Sequence, residues 1–377
     1  MMRVLQVIGA MDRGGAETML MNLYRAIDRT RVQFDFLVHE QRECDYDEEI
    51  RALGGRLHRL PRFTGINLSA YRAACRRLFA EHRYPVVHGH IGSSAAVYLR
   101  EAKRVGSYAV AHSHAQNYLK GASGFAFGVA AYPVRFVADY FMACSLEAGI
   151  DRFGRRVVEG GNFSLLNNGI DLSLYRCDQA AHETAKRRFD VEGRPAFGHV
   201  GRLSEEKNHR FLFEVFSHVL RELPDAVLLL AGRGPLREEL ERLAQERGLG
   251  GSVRFLGVRD DVPDFLKALD VFVFPSVKEG LAMAVVEAQA VGLPCLLSTG
   301  VPDIAVVSPY ASHLDLSLGA AKWARIAIDA YEGLLGRDRT DCVDEVRACG
   351  FDIADTAAWL EGFYLDVAKS TLAHRRK

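Results

Sequence analysis

The chain alternates short apolar runs with amphipathic stretches, and it does so twice, with a turn-rich break between the two rounds. In the first round Arg3–Ile8, Gln33–Val38, Val86–Gly89, Tyr108–Ala111, Tyr140–Ala143 and Ser164–Leu166 read as strands. Helices such as Glu17–Ala26 and Leu68–Glu81 lie between them. Strands apolar on both faces, separated by helices, call for a parallel sheet covered on both sides. Asn167-Asn168-Gly169-Ile170-Asp171 is a turn cluster and a natural exit from that sheet. The pattern then restarts with Ala196–Val200, Ala226–Ala231, Val253–Leu256, Val271–Phe274 and Pro294–Leu297, with helices such as Arg210–Arg221 and Leu236–Arg247 between them. The expected fold is α/β: two doubly wound parallel-sheet domains, residues 1–172 and 173–350, facing across a cleft. A terminal helix within 351–377, around Ala354–Ala368, is free to cap either domain. Such folds bind ligands at the carboxyl ends of their strands.

Composition agrees with two domains, since 377 residues exceed one ordinary core. A charged fraction of 25% and an apolar fraction of 49% are ordinary for a globular chain, and zero formal net charge argues against nucleic acid as partner. The charge is unevenly divided, with 22 Lys/Arg against 17 Asp/Glu in residues 1–173 and 26 against 31 thereafter. A basic front half suits an anionic acceptor or anionic lipid. The seven cysteines form no Cys-x-x-Cys pair and read as free thiols in a reducing compartment. The opening Met-Met-Arg-Val-Leu-Gln-Val-Ile reads as a strand rather than a signal peptide. Gly121–Val134, an uncharged and largely apolar run, falls short of the ~20 residues that span a bilayer. A cytoplasmic protein at the inner face of the membrane is expected.

The chemistry concentrates in the second round. After Val271–Ser276, the stretch Lys278-Glu279-Gly280-Leu281-Ala282-Met283-Ala284-Val285-Val286-Glu287 places two carboxylates eight positions apart. Glu279-Gly280 is expected to open a helix, and eight helical residues rise about 12 Å. Glu287, among Ala and Val, is costly to bury without a hydrogen-bonding partner. A diphosphate would fit at the helix N-terminus, where free N–H groups and the dipole favour anions. Upstream, Gly201-Arg202-Leu203-Ser204-Glu205-Glu206-Lys207-Asn208-His209 closes a strand, so Arg202 and Lys207 stand where phosphate oxygens would lie. The alternative is a solvated loop whose cations pair with Glu205 and Glu206. Gly232-Arg233-Gly234-Pro235 and Phe255-Leu256-Gly257-Val258 are either plain connections or nucleotide-facing turns.

In the first round, Met11-Asp12-Arg13-Gly14-Gly15-Ala16-Glu17-Thr18 offers paired glycines before a helix, an anion-accommodating loop without the Gly-x-Gly-x-x-Gly dinucleotide fingerprint. Histidines cluster at two strand ends, His88 and His90, then His112 and His114. No carboxylate or Cys lies near them in sequence, so no metal is assigned; His112 or His114 instead suits a sugar or phosphate contact. Leu68–Glu81, with Arg72, Arg76 and Arg77 beside Tyr71, Leu78 and Phe79, is either a core-facing helix or a membrane-surface one, and so is Lys120–Arg135.

In this order the pieces resemble the retaining nucleotide-sugar glycosyltransferases of the GT-B fold, in the group 1 or family 4 class. Glu279-Gly280-Leu281 with Glu287-Ala288-Gln289-Ala290-Val291-Gly292-Leu293-Pro294-Cys295 is similar to the exopolysaccharide and capsule subgroup. The resemblance spans essentially the whole chain and implies two Rossmann-like domains, an N-terminal acceptor domain and a C-terminal donor domain. It implies that Arg202 and Lys207 neutralise the donor diphosphate, Glu287 holds the ribose hydroxyls and Glu279 contacts the transferred sugar. Gly14, Gly15 and the backbone at Gly280, Leu281 and Ala282 would complete the donor site, with His112 or His114 beside the sugar. The donor would be a UDP-sugar, or else a GDP-sugar, and the acceptor a saccharide or lipid-linked saccharide. The family's reaction retains configuration without a required metal or other cofactor. Without a second carboxylate placed for the paired-acid scheme of glycoside hydrolysis, a front-side displacement is expected. Two departures stand out: Ala282, where the subgroup often has Pro, a change expected to cost little, and Asp303, where the family often has Glu. Rival readings are a nucleotide-sugar epimerase of similar two-domain fold and a non-catalytic nucleotide- or glycan-binding subunit.

Overall fold

Apolar strands with no polar face can only be satisfied inside a covered parallel sheet, and the chain builds two. The computed structural model describes residues 1–114 and 128–375. It divides into one unit of residues 1–170 with 350–377 and a second of residues 171–349.

The first unit carries a seven-stranded sheet. Its strands are β1 (Met2–Ile8), β2 (Val32–Val38), β3 (Leu57–Arg59), β4 (Val86–Gly89), β5 (Tyr108–Ser113), β6 (Tyr140–Ala143) and β7 (Phe163–Leu165), in the order β3-β2-β1-β4-β5-β6-β7. All neighbours are parallel. The second unit repeats the plan with β8 (Ala196–Val200), β9 (Val227–Ala231), β10 (Val253–Gly257), β11 (Val271–Phe274), β12 (Cys295–Ser298) and β13 (Ala311–Leu314), in the order β10-β9-β8-β11-β12-β13. The order reverses between β1 and β4 in one sheet and between β8 and β11 in the other. Loops diverge there, and a crevice opens beyond the carboxyl ends.

The two strands that the sequence reading lacks, β3 and β13, sit at sheet edges. They carry His58, Arg59, Ser312 and His313, so no apolar run marks them. The helix Leu68–Glu81 buries Tyr71, Cys75, Leu78 and Phe79. Its Arg72 and Arg76 lie 3.0 and 2.8 Å from buried Glu101 on the helix Gly92–Arg104. Its apolar stripe is thus spent on the core, which corrects the membrane-surface alternative for this helix. Most of Lys120–Arg135 lies outside the described residues.

Asn168-Gly169-Ile170-Asp171 does more than turn. A Cβ on Gly169 would lie 2.7 Å from the Ile353 Cα, so only glycine lets the returning chain approach. Ile170 N–H donates to Phe351 O and Ile353 N–H to Ile170 O, at 2.9 and 3.0 Å. From this stitch the helix Ile353–Arg375 runs back over the first unit against the helix Gly15–Ala26, β2, β4 and β5. It buries Leu360 and Tyr364 there.

Candidate active site

In the second unit the carboxyl ends of β8 and β11 are neighbours, and the residues with chemistry follow both. After β8 the chain passes Gly201 into a loop held by backbone bonds to the turns beside it. Gly201 N–H donates to Ala231 O at 3.0 Å, Leu203 N–H to Arg233 O at 3.1 Å and Val277 N–H to Glu206 O at 2.8 Å. Gly232 has φ +142°, and a Cβ there would meet Gly201 O at 1.9 Å. The Gly232–Pro235 and Phe255–Val258 turns therefore brace the Gly201 loop, with Gly232 N–H on Gly257 O at 2.7 Å. Beneath lie His199 and His209, both buried, with His199 stacked on Phe274. Burial holds the His209 imidazole down to about 4 and that of His199 well below its ordinary range.

Lys207 Nζ lies 2.6 Å from Glu279 Oε1 and 4.7 Å from the Phe274 ring centroid. This corrects the solvated-loop alternative for Lys207, whose partner is Glu279 rather than Glu205 or Glu206. It also means that the expected diphosphate cation and the expected sugar contact form one charged pair, 72 residues apart in sequence. Arg202 is exposed at the same strand end.

The helix bearing Glu287 begins later than its sequence suggests. It spans Met283–Ala290, and Glu279–Ala282 form a loop pinned by Glu279 N–H on Gly300 O at 2.9 Å. Ala282, the residue before the helix, has φ 54° and ψ 58°, the left-handed conformation. Proline is locked near φ −65°, so the Ala at this position is not a mild loss of a preset angle. The turn present here excludes proline. Among the described residues the N–H groups of Gly280, Leu281, Ala282 and Met283 have no backbone acceptor. They are four N–H groups that follow directly on Glu279, the partner of Lys207.

Glu287 has the partner that its burial demands. The Tyr175 hydroxyl donates to Oε1 at 2.9 Å, from the short turn Leu172–Tyr175 that opens the unit. Desolvation pushes the Glu287 carboxyl up to about 7, opposed by that hydrogen bond. Burial and the adjacent carboxylate raise Tyr175 well above its ordinary range. Asp303 is fully exposed, with His313 Nδ1 at 3.4 Å, away from these groups. A cavity of about 340 Å³ in the second unit lies at the opposite, amino end of β11. Its buried charges are engaged within the protein: Lys186 meets Asp270 at 2.7 Å and Arg339 donates to Leu269 O.

In the first unit, Gly14 and Gly15 open the helix Gly15–Ala26 as expected, but Glu17 leans back over them. A Cβ on Gly14 would lie 2.3 Å from Glu17 Oε2. The loop thus carries its own carboxylate, which would have to turn away before another anion settled there. At the carboxyl ends of β4 and β5 the register pairs His88 with Val110 and Gln6 with His88. Side chains two apart share a face, so Gln6, His88, His90, His112 and His114 all gather on one face. The His88 and His112 rings stack at 5.3 Å, and the His114 ring lies tilted 4.1 Å from that of His112. Desolvation pushes His88 down to about 3, His114 to about 4, and His90 and His112 well below the ordinary imidazole range. Tyr175, Gln6 and Tyr364, which hold these groups, lie outside every motif, and no local pattern marks them.

Residues 182–308 match the family model "Glycosyl transferases group 1", and residues 14–146 match "Glycosyl transferase 4-like domain". The chain is 35% identical over 370 residues to EpsF of Bacillus subtilis (strain 168), named as a glycosyltransferase, covering 96% of each. It is 33% identical over 145 residues to the Escherichia coli UDP-Gal:alpha-D-GlcNAc-diphosphoundecaprenol alpha-1,3-galactosyltransferase, covering 37% of this chain and 38% of that one. Its fold is that of Anabaena Alr3699/HepE, solved with UDP, at a TM-score of 0.77 and 16% identity over 97% of this chain and 100% of that one. WaaG, a glycosyltransferase of lipopolysaccharide biosynthesis, matches at 0.71 and 16% identity over 96% and 99%. Two parallel-sheet units of the GT-B type, with both family regions in order and a full-length relative, place the chain in the group 1, family 4-like glycosyltransferases.

Proposed function

We propose that the chain transfers a hexosyl-type sugar from a nucleotide-sugar donor, UDP-sugar before GDP-sugar, to a saccharide or lipid-linked saccharide of a surface or exopolysaccharide. The observation that carries this reading is the Lys207–Glu279 pair beside the unused N–H groups of Gly280–Met283, with Glu287 on the helix that follows. Lys207 has three donors, of which Glu279 takes one, leaving two for phosphate oxygens. Arg202 adds a mobile fork at the same strand end, and four backbone donors suit a diphosphate. As the C1–O bond breaks, charge grows on the leaving diphosphate, and these donors stabilise it without reorganising. Glu279, kept in place by Lys207, is oriented toward the transferred sugar. Glu287 keeps Oε2 for ribose hydroxyls while Oε1 accepts from Tyr175.

The sequence offers no second carboxylate placed for the paired-acid scheme, which supports a front-side, configuration-retaining step in which the departing phosphate takes the acceptor proton. The metal is left out of the transfer step because the cations Arg202 and Lys207 meet the charge demand. For Gly14, Gly15, His112 and His114 of the first unit, the family resemblance is what supports a part in the reaction. UDP in HepE and undecaprenol-linked acceptor in the galactosyltransferase favour the donor and acceptor classes named.

No helix among the described residues is long and apolar enough to cross a membrane. Exposed Val129, Tyr132 and Phe136, with Arg135 stacked over Tyr132 at 4.4 Å, suit peripheral contact with an anionic bilayer. Co-sedimentation with anionic vesicles that weakens in salt is expected; salt-insensitive absence of binding removes this contact.

The deciding experiment follows labelled sugar from a panel of UDP- and GDP-sugars into acceptor. Lys207→Ala and Glu287→Ala should each reduce transfer at least tenfold, about 1.4 kcal/mol or more. Unchanged rates in both variants overturn the site, and conversion of donor sugar without acceptor marks an epimerase instead.

A further inference from the structure

We propose that His88, His90 and His112 form a binding site for one divalent transition-metal ion of the zinc class. A ligand atom from each of the three lies within 4.8 Å of the other two, at the carboxyl ends of adjacent strands β4 and β5. A zinc ion sits about 2 Å from imidazole nitrogen, so small ring rotations would bring all three to it.

The hydrogen bonds around the cluster leave the right atoms over. Gln6 Nε2 donates to the Tyr364 hydroxyl at 3.1 Å, which turns Gln6 Oε1 toward His90 Nε2 at 3.0 Å. His90 Nε2 therefore carries the proton, and its lone pair sits on Nδ1, where His114 Nε2 now meets it at 2.7 Å. His88 Nδ1 lies 2.5 Å from the Tyr364 oxygen; in the tautomer that donates Nδ1–H to that oxygen, Nε2 keeps its lone pair for the cluster. Buried His88 Nε2, both His112 nitrogens and His114 Nδ1 have no hydrogen-bond partner among the described residues. Orphaned buried nitrogens on neutral rings are what a metal uses, and a ring anchored by an oxygen on its far nitrogen is the usual outer shell.

An all-imidazole set suits zinc, cobalt, nickel or copper and not the oxygen-seeking magnesium or calcium. His90 and His114 are partly exposed and give an ion its way in. His114 supplies a fourth nitrogen once His90 turns from it to the metal.

The proposal shares His112 and His114 with the transfer reading, but its probe is Zn2+ alone with no nucleotide present, so the two fail separately. Chelator-stripped full-length chain should retain one equivalent of Zn2+ after gel filtration and gain thermal stability from Zn2+ but not Mg2+. Co2+ in its place should give the intense visible absorption of a four-coordinate site. His88→Gln and His112→Asn should each weaken Zn2+ binding at least tenfold, and Tyr364→Phe, which removes only the outer hydroxyl, should weaken it several-fold. Circular dichroism establishes that each variant is folded. Should either histidine variant misfold, the Tyr364→Phe result and the Co2+ spectrum decide. Absence of retained zinc overturns the site. So does unchanged affinity in the folded variants, which would place the ion on partly exposed histidines such as His82 and His218.

Discussion

On the proposed donor role of Glu287, its raised carboxyl makes donor affinity a pH-dependent quantity with a calculable slope. Burial holds this group at about 7 against an ordinary 4.5. The folded chain therefore binds a proton that the unfolded chain has already released between those values. Stability is greatest below the unfolded value and falls as pH rises from about 4.5 to 7. At about 1.4 kcal/mol per unit, the full loss is about 3 kcal/mol. A ribose hydroxyl donating to Glu287 favours the ionised form, so below pH 7 the proton must leave before the donor binds. One linked proton makes the dissociation constant of a nucleotide sugar rise about tenfold from pH 8 to pH 6. The assay is isothermal titration with an intact UDP-sugar, whose diphosphate diester does not titrate in this range, at fixed ionic strength. Glu287→Gln should flatten the profile. It should also stabilise the ligand-free chain at pH 8 by up to about 3 kcal/mol, roughly 2–4 °C per kcal/mol in the transition of the second unit. An equal pH slope in Glu287→Gln, or no gain in its stability, refutes the reasoning.

Two further outcomes bear on the same loop and helix. Ala282→Gly should match or exceed the parent in thermal stability, since removing Cβ relieves about 1–2 kcal/mol of left-handed strain while adding chain entropy. Ala282→Pro should lose about 3 kcal/mol or more; a Pro variant as stable as the parent would show that the left-handed turn is absent in solution. Tyr175→Phe leaves Glu287 Oε1 without a donor, costing about 1–3 kcal/mol. It should move the midpoint of the affinity profile above 7, because the lost hydrogen bond favours the ionised carboxyl. An unmoved midpoint would refute that pairing.

Legibility in the sequence follows burial. Val86–Gly89, Tyr140–Ala143, Ala196–Val200, Val271–Phe274 and the helix Leu68–Glu81 stand where the apolar pattern puts them, because each fills a core and needs an unbroken run. β3 and β13 are silent because edge strands need no second apolar face. The start of the Glu287 helix is misplaced by four residues for a different reason. Glu279 and Gly280 are acceptable helix openers by type, but the backbone bond from Glu279 to Gly300 holds them in a loop. That bond joins segments whose proximity only the β11–β12 crossover creates.

Residues that carry a cost are visible in a sequence, whereas those that relieve it depend on where the chain returns. Glu287 stands out because a carboxylate among Ala and Val must be hydrogen-bonded. Its partner Tyr175, 112 residues earlier, has no local mark. The same holds for the histidines. Their i, i+2 spacing is legible, but that β4 and β5 lie side by side in register, with Gln6 and Tyr364 closing the set, is a property of the sheet order. Where the fold supplies relief, the group is settled, as at Glu287 Oε1. Where relief is missing, buried polar atoms are left without a partner among the described residues. Among them are His88 Nε2 and both nitrogens of His112 in the first unit, and His199 Nε2 and Ser276 Oγ in the second, alongside scattered others such as Asp47 Oδ1 and Arg339 Nε. An unpaired buried polar atom is costly to keep, and these four residues, His88, His112, His199 and Ser276, stand in the carboxyl half of a central strand or just beyond it. Their grouping at the strand ends where such folds bind ligands, and not the mere lack of a partner, is what marks them as binding positions.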